Sequence, residues 1–219
     1  MARHRQYADC SQLTVDMQHA YRFDGALSYM IETKAMIRKR IIDQRGLMSF
    51  QEVSEKSSEI TGRLCSLSQY ASAGTVMAYM SFRNEVATSA FINRCILDGK
   101  RVVIPKVQKS PDMALLPYEI KDPEQDVLPG LWGIPEPDAS RLHRVDPLEI
   151  DIVVVPGVAF DGRRYRIGYG AGYYDRFLLS LRPDCLKVGI AFDMQMLEQF
   201  YAERYDIPMD LVITEFRIV

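Results

Sequence analysis

A glycine-rich stretch between two apolar runs most constrains what this chain can fold into. Gly168, Gly170 and Gly172 fall within five residues, although the whole 219-residue chain has only 13 glycines. Upstream, the β-branched run at 150–155 predicts a strand buried in a parallel sheet. Downstream, the apolar residues of the segment 173–181 recur at helical spacing and predict a short helix. The order strand, glycine-rich loop, helix indicates an α/β protein.

The residue types of this loop favour a phosphate-binding site. Glycines let the backbone approach a ligand closely with several N–H groups pointing inward, and a following helix N-terminus favours negative charge. The loop has neither the Gly-Lys-Ser/Thr of a Walker A motif nor the spacing of the dinucleotide-binding fingerprint. A tight structural turn is the alternative. The flanking Arg166, Asp175 and Arg176 favour anion binding, because a simple turn does not need them.

Composition excludes several classes of protein. The chain is 47% hydrophobic and 26% charged with a formal net charge of −2, which is typical of soluble proteins and does not indicate nucleic-acid or membrane binding. No apolar run is long enough to span a bilayer, and the first 30 residues lack the apolar core of a signal peptide. Four scattered cysteines fit a reducing compartment, so we predict a cytoplasmic location. We predict a polar N-terminal arm at 1–31 and one α/β domain at 32–219.

The periodicity along the chain predicts alternating helices and strands. Helices are predicted at 32–45, from the Ser49-x-x-Glu52 capping box to 67, at 88–96, at 173–181 and at 194–201. Strands are predicted at 75–80, at 101–104 with Pro105 ending the strand, at 150–155, at 186–191 and at 211–213. A long loop is predicted at 128–138. This alternation predicts a three-layer α/β/α fold with a mainly parallel central sheet.

Several charged residues allow two interpretations each. Ligands of open α/β sheets bind beyond the carboxyl ends of the strands, which places Glu85 and the loop 166–176 on one rim. Glu85 either holds a polar ligand group or is an ordinary loop carboxylate. Lys34 and Arg38 share a helix face that either is solvated or holds an anion. Asp210 is either a turn residue or a metal ligand.

Two segments in particular resemble a known family. They are Val155-Pro-Gly-Val-Ala-Phe-Asp161 and Arg166-Ile-Gly-Tyr-Gly-Ala-Gly-Tyr-Tyr-Asp-Arg-Phe-Leu178, and weaker matches occur at Lys34-x-x-x-Arg38, 81–85, 132–137 and 206–214. Together they are similar to the 5-formyltetrahydrofolate cyclo-ligase family over about residues 33–215. Relatives often have lysine or glycine at the position of Ala171; if a lysine there contacts phosphate, this chain lacks that charge and binds ATP less tightly.

The resemblance implies an activity and a set of ligands. The implied reaction is the ATP- and Mg²⁺-dependent cyclisation of 5-formyltetrahydrofolate to 5,10-methenyltetrahydrofolate, through a phosphorylated formyl group (an iminophosphate), with release of ADP and phosphate. A small-molecule substrate, no nucleic acid, no membrane and a monomer or dimer are expected. A non-catalytic folate- or nucleotide-binding module and a different nucleotide-dependent transferase are the alternatives.

The resemblance also implies roles for individual residues. Implied ATP-binding residues are Lys34, Arg38, Arg166, Ile167, Gly168, Tyr169, Gly170, Ala171, Gly172, Tyr173 and Tyr174. Implied substrate-binding residues are Met80, Glu85, Trp132, Tyr173 and Tyr174, although Trp132 could equally be structural. Arg38, Tyr173 and Tyr174 are the implied catalytic residues, and Asp175 and Asp210 are the implied Mg²⁺ ligands.

Overall fold

The computed structural model describes residues 32–109, 113–130 and 133–219. The predicted N-terminal arm at 1–31 therefore lies outside the described residues. Within them, the α-helices are α1 Lys34–Gly46, α2 Phe50–Cys65, α3 Ser68–Ser72, α4 Ser89–Leu97 and α5 Tyr173–Leu178. The strands are β1 Thr75–Met77, β2 Arg101–Gln108, β3 Ala114–Ile120, β4 Val127–Pro129, β5 Pro135–Pro137, β6 Ile152–Val155, β7 Ala159–Asp161, β8 Arg166–Ile167, β9 Leu186–Ile190, β10 Met196–Leu197 and β11 Leu211–Ile213.

The central sheet has six strands within the described residues, in the order β11-β9-β6-β1-β2-β3. Every neighbouring pair from β11 to β2 is parallel, and β3 adds an antiparallel edge. All four residues of β6 are buried, as expected for a central strand covered on both faces. The prediction of a mainly parallel sheet is confirmed.

Helices cover both faces of this sheet and complete the three layers. One core contains the apolar residues of α2, α3 and α4, including Ile60, Tyr70 and Phe91, packed on inward residues of the strands. The other contains Phe177 and Leu178 of α5. The predicted capping box begins α2, with the Ser49 hydroxyl accepting from the Glu52 N–H and the Glu52 carboxylate accepting from the Ser49 N–H.

A small sheet, β10-β7-β8, lies between the central sheet and the glycine-rich loop. The β7–β8 hairpin was not predicted: the loop follows β8 rather than the strand β6 directly. Helix α1 packs on this hairpin through Ile37 and Ile41, which share an apolar cluster with Val158 and Ile167. The helix that carries Lys34 and Arg38 is therefore held against the strand that leads into the loop.

Two secondary-structure predictions are wrong. Pro105 does not end a strand, because β2 continues to Gln108. Pro105 lies opposite Pro117 in the antiparallel pairing with β3, and neither proline has an N–H to donate. On the other side of β2, the parallel pairing with β1 already ends at Val103, so no hydrogen bond from residue 105 is required there.

The segment 194–201 is not a helix. A 3₁₀ turn at Asp193–Gln195 is followed by β10, which pairs in parallel with β7. The Gln195 side chain donates to the backbone oxygens of Gly157 and Val158, both at 2.9 Å. These long-range bonds stabilise an extended segment whose local pattern is helical.

Three further segments differ in detail from the predictions. The predicted loop at 128–138 contains the antiparallel pair β4–β5, α5 ends at Leu178 rather than at 181, and β1 ends at Met77 rather than at 80. In the parts of the chain that the structure describes, none of the helices is long and apolar enough to cross a bilayer.

Candidate active site

A cavity of about 460 Å³ opens where the carboxyl ends of the central strands meet the small sheet. It is lined by Tyr79 and Met80, which follow β1, and by Pro156, which follows β6. Residues of the glycine-rich loop, of α5 and of β2, β3 and β5 complete the lining. A volume of this size is typical of a small-molecule site. The cavity lies beyond the carboxyl ends of the strands, where ligands of open α/β sheets bind.

The glycine-rich loop contributes Gly168, Tyr169 and Ala171 to the lining of this cavity. Gly170 has φ +105° and Gly172 has φ +64°, conformations that residues with a side chain rarely adopt. Within the described residues, the N–H groups of Tyr169, Gly170, Ala171 and Gly172 donate to no protein acceptor. Free N–H groups in such a turn are the donors that phosphate oxygens need. The helix α5 that follows has only six residues, so the backbone amides rather than a helix dipole dominate.

Arg166 provides a buried positive charge beside the loop. Its guanidinium lies 3.0 Å from Asp175 Oδ1 and also donates to the Ile207 oxygen at 3.2 Å. Burial lowers the pKa of Arg166, and the neighbouring Asp175 carboxylate opposes that shift. Both residues line the cavity. A buried cation beside free amides is a site for a strongly anionic group.

Glu85 lines the same cavity as Arg166 and contacts the loop directly. Its carboxylate accepts from the Phe82 N–H at 3.0 Å and from the Tyr169 hydroxyl at 2.8 Å. Burial raises the pKa of this carboxyl, while the Phe82 bond, the charge of Arg45 and the Tyr169 bond lower it. The structure thus brings Glu85 and the loop together, as the sequence predicted.

The two tyrosines at the start of α5 also line the cavity. The Tyr174 hydroxyl is buried and has no hydrogen-bond partner among the described residues. Its ring packs near the Arg166 guanidinium, with 5.9 Å from Cζ to the ring centroid. Tyr173 lies similarly near Arg176, at 5.4 Å. A buried hydroxyl without a partner is costly, so the Tyr174 oxygen is a candidate ligand contact.

Lys34 and Arg38 do not line the cavity. Arg38 Nε donates to the Gly168 oxygen at 2.7 Å, so this residue supports the loop from below. Lys34 Nζ lies 2.7 Å from Asp206 Oδ2 and 3.3 Å from Glu203 Oε1. Its charge is therefore balanced by carboxylates in this structure.

Asp210 lies away from the cavity. Its carboxylate accepts from the Lys187 N–H and pairs with the Lys187 ammonium, both at 2.7 Å, where β9 and β11 begin. This is the turn role that the sequence allowed as the alternative to a metal ligand. Among the described residues, no group of three or more His, Cys, Asp or Glu side chains forms a metal site by itself. Asp175 alone of the two predicted metal ligands lines the cavity.

Of the remaining predicted residues, Met80 lines the cavity, Ile167 is buried in β8, and Trp132 lies outside the described residues. Its neighbours Ile134, Pro135 and Glu136 do line the cavity.

The sequence analysis missed several residues that line the cavity and one buried arginine that contacts the loop. Phe82, Pro105 and Val107 line the cavity, and Arg45 donates to the Tyr169 hydroxyl from behind the loop at 2.8 Å. Phe82 and Arg83 adjoin Glu85 in sequence, which is a signal that could have found them. Nothing in the local pattern marks Arg45, which occupies an ordinary position in the last turn of α1.

Comparisons with known proteins show the family to which this chain is similar. The model of the 5-formyltetrahydrofolate cyclo-ligase family matches residues 30–215. A probable 5-formyltetrahydrofolate cyclo-ligase of Schizosaccharomyces pombe is 27% identical over 199 residues, covering 85% of this chain and 97% of that protein. The 5-formyltetrahydrofolate cyclo-ligase of Escherichia coli strain K12 is 29% identical over 186 residues, covering 84% and 98%.

Solved structures give the same result. The Aquifex aeolicus 5,10-methenyltetrahydrofolate synthetase superposes with a TM-score of 0.74 at 32% identity, over 84% of this chain and 91% of that one. The Mycoplasma pneumoniae 5,10-methenyltetrahydrofolate synthetase superposes with a TM-score of 0.68 at 28% identity, over 83% and 98%.

Proposed function

The chain belongs to the 5-formyltetrahydrofolate cyclo-ligase family, and on this premise we propose that it closes 5-formyltetrahydrofolate to 5,10-methenyltetrahydrofolate at the expense of ATP. In the proposed reaction the formyl oxygen attacks the γ-phosphorus of ATP, and ADP leaves. Nitrogen-10 of the folate then attacks the activated formyl carbon, and phosphate leaves as the ring closes. The protein must align two ligands and neutralise charge, and no protein nucleophile is needed.

One observation carries the proposal: an anion-binding surface and a buried carboxylate line a single cavity. The anion-binding surface consists of the loop residues Tyr169 and Ala171, whose amides are free within the described part of the chain, and the guanidinium of Arg166. The carboxylate is that of Glu85, which is 8% exposed. A phosphate chain suits the first, and the N–H groups of a pterin ring suit the second. Both substrates of the ring closure would therefore meet between them.

The roles on the nucleotide side follow from this arrangement. Arg166 and the backbone from Ile167 to Tyr174 would hold the triphosphate. Arg38 would support the loop through the Gly168 oxygen and reach the reacting groups only if its guanidinium turns toward the cavity. Lys34 would exchange its contacts with Asp206 and Glu203 for phosphate oxygens. With alanine at position 171, the cationic residues that line the cavity among the described residues are Arg83 and Arg166.

The folate side and the reacting centre use residues that follow β1 and the two tyrosines that begin α5. Glu85 would accept pterin N–H bonds, Met80 would contact the ring, and Trp132 remains a predicted folate contact. Tyr173 and Tyr174 lie at the start of α5 and line the cavity. The unpartnered Tyr174 hydroxyl would bond to the formyl or phosphoryl oxygen.

A magnesium ion fits this site through a single carboxylate. Mg²⁺ prefers carboxylate and phosphate oxygens and commonly uses only one or two protein ligands. Asp175 would supply that oxygen after loosening its contact with Arg166, and Asp210 would not take part because Lys187 holds it. When bound, the ion would neutralise charge on the phosphates.

The free thiols of Cys65, Cys95 and Cys185 agree with the predicted cytoplasmic location.

Absorbance at the methenyl band tests the proposal. Mixing the protein with 5-formyltetrahydrofolate, ATP and Mg²⁺ is expected to make the band grow, and omission of ATP is expected to abolish the growth. Glu85→Gln and Asp175→Asn are each expected to slow it at least about a hundredfold. A flat trace, with calorimetry still showing ATP binding, would leave a nucleotide-binding module and refute the enzyme proposal.

A further inference from the structure

Three side chains from separate parts of the chain meet behind the glycine-rich loop. Arg45 Nη2, in the last turn of α1, donates to the Tyr169 hydroxyl at 2.8 Å. The Tyr169 hydroxyl donates in turn to Glu85 Oε1, also at 2.8 Å. The hydroxyl therefore bridges a cation and a carboxylate. We call these three residues the Arg45 relay.

The charges at the two ends of the relay are buried. Arg45 is 3% exposed and Glu85 is 8% exposed. Within the described residues, no carboxylate lies within ion-pair distance of Arg45. Buried charges are retained only when they are compensated. Arg45 and Glu85 compensate each other through the hydroxyl between them, so neither can be removed without leaving the other uncompensated.

The two ends are fixed to each other, whereas Tyr169 belongs to the loop. The Asn84 side chain donates to the backbone oxygens of Arg45 and Met48, both at 2.9 Å, which ties the end of α1 to the segment before Glu85. Tyr169 as a whole is 57% exposed, although its hydroxyl is engaged. The Tyr169 hydroxyl thus joins the loop to the end of α1, through Arg45, and to Glu85.

We propose that Arg45 is a positioning residue that holds Tyr169 against Glu85, so that the nucleotide-binding loop and the folate-binding carboxylate adopt their working positions together. This inference rests on the proposed function, since it assigns a link between the two substrate sites. It predicts positive coupling: folate bound at Glu85 fixes the relay, and the fixed loop binds ATP more tightly. By thermodynamic linkage, ATP strengthens folate binding by the same factor.

Calorimetry with a non-hydrolysable ATP analogue measures this coupling. In the wild-type enzyme, saturating 5-formyltetrahydrofolate is expected to tighten analogue binding about tenfold, which lies within the usual range for coupled sites. Tyr169→Phe keeps the ring and removes only the bridging hydroxyl, so the factor is expected to fall to near one. The matched control is Tyr201→Phe, at an exposed tyrosine outside the cavity, and it should keep the wild-type factor.

Three outcomes are distinguishable. Equal coupling in the wild type and in Tyr169→Phe would overturn the relay, as would an absence of coupling in the wild type when both ligands bind. Failure of the wild type to bind either ligand would instead refute the proposed function itself.

A pH profile separates positioning from simple structural support. Glu85 is faced by Arg45 from α1, Tyr169 from the loop, Tyr79 from the end of β1 and Tyr174 from α5. Arg45 is the one permanent cation among these groups. Its charge lowers the pKa of Glu85 against the effect of burial. Removing that charge lets the carboxyl take up a proton at higher pH, so the acid limb of kcat/KM for the folate should move upward.

Arg45→Met is expected to shift this limb upward and to raise the KM for the folate about tenfold. Arg45→Lys retains the charge and should restore the limb, although the shorter side chain will not restore the full KM. Arg40→Met on the same helix removes an arginine paired with Glu32 and should change neither quantity. Arg45→Met could instead lower the melting temperature while the acid limb of the kcat/KM profile and the KM for the folate keep their wild-type values. That result would show a purely structural role and overturn the proposal.

Discussion

At the scale of single residues, buried polar atoms without partners separate ligand-binding residues from structural ones. Folding places most buried hydroxyls in hydrogen bonds, because an unsatisfied one costs about 1–3 kcal/mol. The Tyr70 hydroxyl obeys this rule by donating to Asp98 Oδ2 at 2.8 Å. The Tyr174 hydroxyl does not, within the described residues. A residue that weakens the folded protein in this way is retained for what it does when ligands are bound.

This contrast predicts opposite effects for two tyrosine substitutions. Tyr174→Phe removes an unpaired hydroxyl, so the free energy of unfolding of the ligand-free protein should stay unchanged or rise by about 1 kcal/mol. Turnover should fall by at least about tenfold, because the contact to the reacting groups is lost. Urea denaturation and the absorbance assay measure the two quantities on one preparation.

Tyr70→Phe is the matched control. It also removes a buried hydroxyl, but one that is hydrogen-bonded and lies in α3, outside the cavity. Its unfolding free energy should fall by about 1 kcal/mol while kcat stays at the wild-type value. If Tyr174→Phe lost stability as Tyr70→Phe does, and kept its turnover, the Tyr174 hydroxyl would be a structural group.

The sequence revealed individual site residues only where they adjoin a strand end or the glycine loop. Glu85 was predictable because it follows β1 closely, and parallel strands end on a common rim. Arg45 was not, because its role depends on a contact 124 residues away, with Tyr169. Asp210 could be interpreted from the sequence either as a turn residue or as a metal ligand, and its pairing with Lys187 is visible only in the structure.

At the scale of elements, the loop between β8 and α5 depends on backbone conformations that require glycine. At Gly170 an added Cβ would meet nothing closer than Arg38 Nη2, at 3.7 Å. Space is therefore available, and the requirement comes from φ alone. In this conformation the neighbouring N–H groups have no acceptor among the described residues and remain free for an anion. The conformation of the loop and its capacity to bind an anion are therefore linked.

Gly170→Ala is expected to weaken ATP binding at least about tenfold, since a side chain at this φ shifts the backbone that presents the amides. Calorimetric titration with the ATP analogue measures the loss. Gly62→Ala provides the control, because Gly62 is an exposed helical glycine of α2 with no atom near its would-be Cβ. That variant should gain about 0.5–1 kcal/mol in unfolding free energy and bind the analogue normally. Wild-type affinity in Gly170→Ala would show that the loop does not hold the nucleotide by its backbone.

Elements with strong local signals were predictable, and those fixed by distant contacts were not. The capping box of α2 and the β-branched run of β6 are local signals, and both elements formed as predicted. The β7–β8 hairpin is too short to show a period, and β10 forms because Gln195 and the pairing with β7 outweigh a helical pattern. The continuation of β2 past Pro105 depends on the identity of its partner residue in β3.

At the scale of the whole molecule, one aromatic side chain sets how closely the small sheet approaches the central sheet. Phe160 of β7 is fully buried, and its ring lies against Gly189 of β9 and Gly157 of the segment between β6 and β7. A Cβ at Gly189 in β9 would lie 2.5 Å from the ring, and one at Gly157 would lie 2.5 Å from it as well. The loop-bearing sheet can therefore reach the sheet that positions Glu85 only because both positions lack a side chain.

This packing predicts a non-additive pair of substitutions. Gly189→Ala forces the ring aside and should lower the free energy of unfolding by about 1–3 kcal/mol. Phe160→Leu leaves a void and should cost about 1–3 kcal/mol. Combined, they relieve each other, since the smaller side chain makes room for the new methyl group. The double variant should therefore be at least about 0.5 kcal/mol more stable than the sum of the single effects predicts.

Urea denaturation of the four proteins gives this coupling energy directly, and a second cycle supplies the control. Phe216 is 71% exposed, so Phe216→Leu should add to Gly189→Ala within about 0.5 kcal/mol. Additivity in both cycles would mean that Phe160 and Gly189 do not constrain each other. Coupling confined to the Phe160 pair would instead show that the distance between the two halves of the active site is set by a contact in the core, below the cavity itself.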